Sequence, residues 1–175
     1  MAVRLIALLA AWLAAAAGPA DVQERTRQAA PGGATTVRCA AGTGPRVQVL
    51  YVLPAGRRDR YRAYLPFVGG WAVDADRALT EHHGRHVTYL QNRRCVLDVR
   101  RVPVPARAAD GLAATVRALR ARGYDRPDRT YLAFVDADVL ACSASRPGYV
   151  RIDASCWFST VAGGVAAAEL LKARL

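Results

Sequence analysis

A layered α/β domain built on a mixed, mainly parallel sheet is the fold class this sequence predicts, and three observations predict it. Two runs, Val47–Leu53 and Thr130–Val135, are almost continuously apolar and rich in β-branched and aromatic residues, as strands covered on both faces are. Between and after them lie segments whose apolar residues recur every three or four positions, the helical period. The resulting order, β-α-β-β-α-β-β-α, interleaves the two element types along the chain, which is the pattern of layered α/β domains.

Each element carries its own boundary signals. The first strand stops at Pro54. From Asp59 to His83 the apolar positions Tyr61, Tyr64, Leu65, Val68, Trp71, Ala72, Ala75, Ala78 and Leu79 predict a long helix. Pro66 or Gly69-Gly70 is expected to kink or break it, and Gly84 to end it. His86–Gln91 and Val96–Val104 read as two strands separated by Asn92-Arg93-Arg94, the second ended by Pro103 and Pro105. Asp110 is placed to cap a helix over Gly111–Arg122, with Leu112, Val116 and Leu119 inward and Gly123 as its stop. Tyr149–Ile152 reads as a short edge strand. Ser159 or Thr160 is placed to cap a final helix over Val161–Arg174.

Ahead of this body, Met1–Ala20 has the plan of a secretory signal peptide: Arg4 in a positive n-region, an apolar run from Leu5 to Ala17, then small residues that allow cleavage after Ala17 or after Ala20. The expected location is therefore secreted and extracellular, with no stable membrane anchor. Residues 21–45 are rich in Gly, Ala, Thr and Gln without hydrophobic periodicity and read as a flexible leader anchored only at Cys39. Residues 46–175 form one domain.

The formal charge is +11, but it does not point to nucleic acid. No nucleic-acid-binding motif accompanies it. Lys172 is the one lysine, and the arginines are dispersed: Arg57, Arg58, Arg60, Arg62, then Arg93, Arg94, Arg100, Arg101, then Arg117, Arg120, Arg122. Such spacing places them on solvated faces. The four cysteines, Cys39, Cys95, Cys142 and Cys156, all lie in the exported part and predict two disulfides. Of the three pairings, Cys39–Cys95 and Cys142–Cys156 are favoured, the first tying the leader to a central strand and the second closing a local loop.

Two further clusters carry possible chemistry. His82, His83 and His86 lie together, and His82 and His86 are four apart, but Gly84 interrupts the helix that would place them on one face; histidines at a helix C-terminus complement its dipole. Asp136 and Asp138 follow an apolar strand, where ligands gather in open α/β sheets. Such a pair can bind calcium or do acid–base work, although its commoner role is to turn the chain and satisfy loop amides.

The strings VQVLYV, RRCVLDVRRVPV, GYDRPDRTYLAFVDADV and YVRIDASCW, followed by a Gly/Ala-rich helix, resemble a group of secreted bacterial zincin-like, metzincin-like zinc metallopeptidases. The resemblance runs from about Arg46 to Leu175 and implies the N-terminal portion of such an enzyme, with sheet and two helices preceding an active-site helix. In that group the last helix carries HExxH, whose histidines bind zinc and whose glutamate polarises water. Glu169 falls at the general-base position, while Ala168 and Lys172 stand at the two histidine positions. The resemblance thus implies a secreted metallopeptidase-like protein that is catalytically inactive as written, with no cofactor in this form although the family uses zinc. It also implies a domain incomplete at its C-terminus, leaving Val165, Leu170 and Leu171 partly exposed. Two alternatives remain open: a non-enzymatic secreted α/β binding module with a protein or peptide partner, and a truncated fragment of an active peptidase.

Overall fold

The computed structural model describes residues 35–39, 45–138, 142–157 and 163–172, with the side chains of residues 163–166 outside the description. The expected signal peptide Met1–Ala20, the candidate caps Ser159 and Thr160, and Arg174 also lie outside it. The described residues form an α/β fold around a five-stranded mixed sheet in the order β2-β1-β3-β5-β4. Its strands are β1 (Arg46–Pro54), β2 (Val99–Val104), β3 (Arg129–Val135), β4 (Ser143–Arg146) and β5 (Tyr149–Asp153). All neighbours pair in parallel except β4, which runs antiparallel to β5. The helices are α1 (Tyr61–His83), α2 (Leu112–Arg120) and α3 (Gly163–Lys172), with a 3-10 turn at Ala106–Asp110 and one helical turn at Ala154–Trp157.

The two apolar runs of the sequence become the two central strands, buried on both faces. Alternation along β1 sends Val47, Val49, Tyr51 and Leu53 into a core shared with α1 and α3, and Leu50 and Val52 into a second core under the 3-10 turn and α2. From β1 the chain passes through α1 on one face to β2. It then crosses through α2 on the other face to β3, on the opposite side of β1. The carboxyl ends of β1 and β3 therefore flank a topological switch point.

Helix α1 runs unbroken through Pro66 and Gly69-Gly70, contrary to the expected break. Pro66 lies near the start, and the carbonyl it cannot reach belongs to Arg62 in the exposed first turns, where water can serve. The predicted stop holds: Gly84 takes φ 63° and its N–H donates to the Thr80 carbonyl at 2.9 Å. The Gly111–Arg122 helix is shorter than predicted, and Asp110 ends the 3-10 turn instead of capping it.

Three strand expectations change. His86–Gln91 is not a strand; Tyr89 makes an isolated bridge to Val47 of β1, and Gln91 makes another to Leu97, ahead of β2. The Val96–Val104 strand begins at Val99 and includes Pro103, which the outermost position of β2 tolerates because no neighbour needs its missing donor. Tyr149–Ile152 does form part of β5, but that strand is interior. The edge is β4, whose Ser-Ala-Ser-Arg sequence has no apolar alternation to reveal it. Its only sequence signal was Pro147-Gly148, with Gly148 at φ 78° closing the hairpin.

Both favoured disulfides are present, Cys39–Cys95 and Cys142–Cys156. The leader, however, is held by more than Cys39. The Val37 N–H donates to the Cys95 carbonyl and the Leu97 N–H to the Thr35 carbonyl, each at 2.9 Å, and Val37 is buried. Two such bonds at about 1 kcal/mol each and a buried Val at about 2 kcal/mol fall short of the roughly 1–2 kcal/mol per residue that ordering Thr35–Cys39 costs. The bridge, spanning 56 residues, contributes about 4 kcal/mol and closes the balance.

The final helix is not left open either. Ala167, Ala168 and Leu171 are fully or almost fully buried and Leu170 packs against the same core, where α3 lies along α1 and β5. The expected exposure of Leu171 is thus corrected, Leu170 is partly exposed as expected, and the Val165 side chain lies outside the described residues.

Candidate functional site

Helix α3 faces two environments. Its apolar stripe, Ala167, Ala168 and Leu171, points into the core, while Glu169 and Lys172 face solvent beside the C-terminal end of α1. The Lys172 ammonium meets the Glu169 carboxylate at 2.8 Å, one helical turn away, and His83 Nε2 lies 3.9 Å from the other carboxylate oxygen. Lys172 holds Glu169 below the usual carboxylate range, with smaller contributions from His83 and His82. A general base for water activation needs the opposite, a pKa raised toward neutrality. Zinc in a peptidase site takes three protein N, O or S donors and a water. The methyl group of Ala168 offers none and is buried, and the Lys172 ammonium is a cation. Among the described residues no group of three or more His, Cys, Asp or Glu side chains is placed to hold a metal ion. Ala168 and Lys172, at the two histidine positions, do not fit zinc.

The histidines end α1 without converging. His82 and His83 stack edge-on at 6.4 Å, and His83 turns to Glu169. His86, beyond Gly84, lies instead against Thr80 Oγ1 at 2.8 Å and Asp76 Oδ1 at 3.5 Å. The Asp76 carboxylate also accepts from the Val87 N–H at 2.7 Å, so this group staples the chain after α1 back onto the helix.

At the switch point Asp136 is completely buried. It does not act as a turn residue, contrary to the expectation; its carboxylate accepts from Tyr51 Oη on β1 and from Arg60 just before α1, with Arg60 Nε at 3.1 Å. Burial, reinforced by the Asp136 carboxylate, pushes the Tyr51 hydroxyl well above its ordinary value. Arg60 also lies 4.8 Å from the centre of the Tyr64 ring. Asp138 is exposed and pairs with Arg57 at 3.2 Å. The Asp136 carboxylate is shared between Tyr51 and Arg60, so the arrangement ties the β1–α1 connection to the end of β3 and leaves the Tyr51 hydroxyl harder to ionise.

Sequence reasoning missed a second buried ion pair. Arg151 and Asp153 on β5 are each 2 % exposed. Arg151 Nε donates to Asp153 at 2.7 Å, while its other nitrogens reach Thr115 Oγ1 at 2.6 Å and the Ala109 carbonyl at 2.7 Å. Burial outweighs the pairing and pushes Asp153 up to about 6. The signal was available in Tyr-Val-Arg-Ile-Asp, where alternation puts both charges on one face of an interior strand. An open cleft of about 910 Å³ on the outside of the 3-10 turn and α2, rimmed by Arg107, Arg117 and Arg122, contains none of these groups.

No family model, no curated protein and no solved structure matches the chain. Its chemistry rests on the geometry alone.

Proposed function

We propose that this chain is an exported, zincin-like module that has lost hydrolytic chemistry and acts by binding a protein or peptide. The observation that carries the reading is the state of α3: Ala168 is committed to the core and Glu169 is neutralised by Lys172. A helix used this way serves packing and surface charge, with nothing left to polarise water. A sheet and two helices ahead of a last helix are the element order this reading expects. Two disulfides suit an oxidising compartment and support export. No described helix is long and apolar enough to cross a membrane.

The test is direct. The purified full chain, incubated with zinc and desalted, is expected to retain far less than one equivalent and to leave casein intact with or without a chelator. Stoichiometric zinc together with chelator-sensitive casein cleavage overturns the reading.

A further inference from the structure

The segment Thr35–Val37 lies in a groove with three parts. One wall is the backbone edge at Cys95–Leu97, which exchanges two hydrogen bonds with it through an antiparallel bridge at Thr36 and Val96. The other wall is α1, notched at Gly69: a methyl group there would overlap the Thr35 side chain, whereas one at neighbouring Gly70 would meet open space. The floor is the core, which takes Val37. This is strand addition, in which backbone bonds supply affinity and alternate side chains supply fit. None of these contacts requires the arm to belong to the same chain. What commits it is the Cys39–Cys95 bridge.

We propose that this groove is a strand-acceptor site which, before that bridge closes, takes the Thr35–Cys39 arm of a second copy of this chain. The partner is specified by the chemistry of the groove, since the arm already seated there is the segment it fits. Exchange is reciprocal, so a two-fold dimer forms in which each arm fills the other's groove and two intermolecular Cys39–Cys95 bridges lock it. The covalent step is the same in both arrangements. A Cys39 or Cys95 thiolate attacks a low-molecular-weight disulfide and releases one thiol; the second protein thiolate then displaces the other, so that two protein thiols are oxidised and one small disulfide is reduced to two thiols. The short link from Cys39 to Arg46 gives the chain's own arm a high effective concentration, so exchange grows with protein concentration.

Two full-length variants test this, Cys39→Ser and Cys95→Ser, neither able to bridge within itself. Mixed in equal amounts in a glutathione redox buffer, they are expected to give a heterodimer joining Cys39 of one copy to Cys95 of the other. By peptide mass mapping the ratio of this heterodimer to the two homodimers combined, 1:1 for random coupling, should rise about tenfold, because docking precedes bridging. Adding Gly69→Val to the Cys95-bearing copy blocks the notch and should return the products to statistical proportions, while Gly70→Ala should change nothing. An intact Cys142–Cys156 bridge and an unchanged circular dichroism spectrum show that each variant is folded. Statistical proportions with Gly69 present, or undiminished coupling with Gly69→Val, overturn the proposal. Wild-type chain reduced and reoxidised at rising concentration provides a variant-free reading. Dimers bridged Cys39 to Cys95 are expected, and monomer alone at every concentration overturns the proposal.

Discussion

Along β5, Val150 and Ile152 turn to the face covered by α1 and α3, whereas Tyr149, Arg151 and Asp153 turn to the face covered by the 3-10 turn and α2. The first face closes on aromatic packing. Trp157 lies 5.1 Å from Tyr64, 5.7 Å from Trp71, 6.1 Å from Tyr51 and 6.4 Å from Phe134, ring centre to ring centre, and its Nε1 donates to the Ile152 carbonyl at 3.2 Å. The second face closes on a fully satisfied ionic network joining Arg151, Asp153, Thr115 and Ala109. Both faces bury apolar side chains, but one adds aromatic volume and the other matched donors and acceptors, so these two additions should fail differently.

Single truncations are expected to have the largest effects and to look alike. Arg151→Ala leaves Asp153 buried and unpaired and should cost about 3–5 kcal/mol. Trp157→Ala opens a cavity among four aromatic rings and should also cost about 3–5 kcal/mol. The faces separate in the rescue. Replacing the pair together, Arg151→Met with Asp153→Leu, should restore stability to within about 1 kcal/mol of wild type, because removing both charges also removes their desolvation cost. Reintroducing apolar volume at Trp157 as Leu should recover only part of the loss. Urea unfolding at neutral pH without reductant measures all four, and a double replacement no better than Arg151→Ala would break the contrast.

The same division explains what could be read from the sequence. The central strands, the long helix, its Gly84 stop and both disulfides were legible because burial on two faces, a 3.6-residue period and cysteine parity leave local marks. β4 was not, since Ser143–Arg146 is held by backbone pairing to β5 and needs no apolar pattern. Of the candidate site, Ala168, Glu169 and Lys172 were placed by the resemblance to an HExxH helix, and whether Ala168 faced a cleft or the core depended on how α3 packs on α1. The Tyr51–Arg60–Asp136 group was invisible because Asp136 draws its partners from sequence distances of 85 and 76 residues. Asp136 and Asp138 look equivalent in the sequence, and only tertiary contact makes one a buried anchor and the other a surface residue.

A smaller effect isolates the ionic face by pH. Asp153 titrates at about 6 in the fold, above the value of about 3.9 for an unperturbed aspartate. The folded state therefore binds this proton more tightly than the unfolded chain. The stabilisation from protonation is fully present below about pH 4 and is lost as pH rises through about 6. Between those limits it amounts to about 3 kcal/mol. Asp153→Asn should lower stability at pH 7, where Arg151 loses its counter-charge, and remove this component of the pH dependence. Unfolding free energies at pH 4, 5, 6 and 7 for both proteins provide the check, and parallel profiles would place the titration elsewhere.

The smallest effect sharpens the comparison within the aromatic face. Gly69 and Gly70 are adjacent in the middle of α1, both without side chains, and intrinsic helix propensity predicts the same gain of about 0.5–1 kcal/mol when either becomes alanine. Their surroundings differ. Open space around Gly70 lets Gly70→Ala realise that gain, whereas at Gly69 the added methyl group would strike Thr35 and the arm must move or lose its bonds to Cys95 and Leu97. Gly69→Ala should therefore be destabilising despite better propensity, and more so with the Cys39–Cys95 bridge intact, because the covalent tie prevents the arm from swinging clear. Thermal unfolding of both variants, each measured with and without Cys39→Ser/Cys95→Ser, resolves the two contributions. Equal shifts for Gly69→Ala and Gly70→Ala would mean that the arm contributes no packing constraint at this helix.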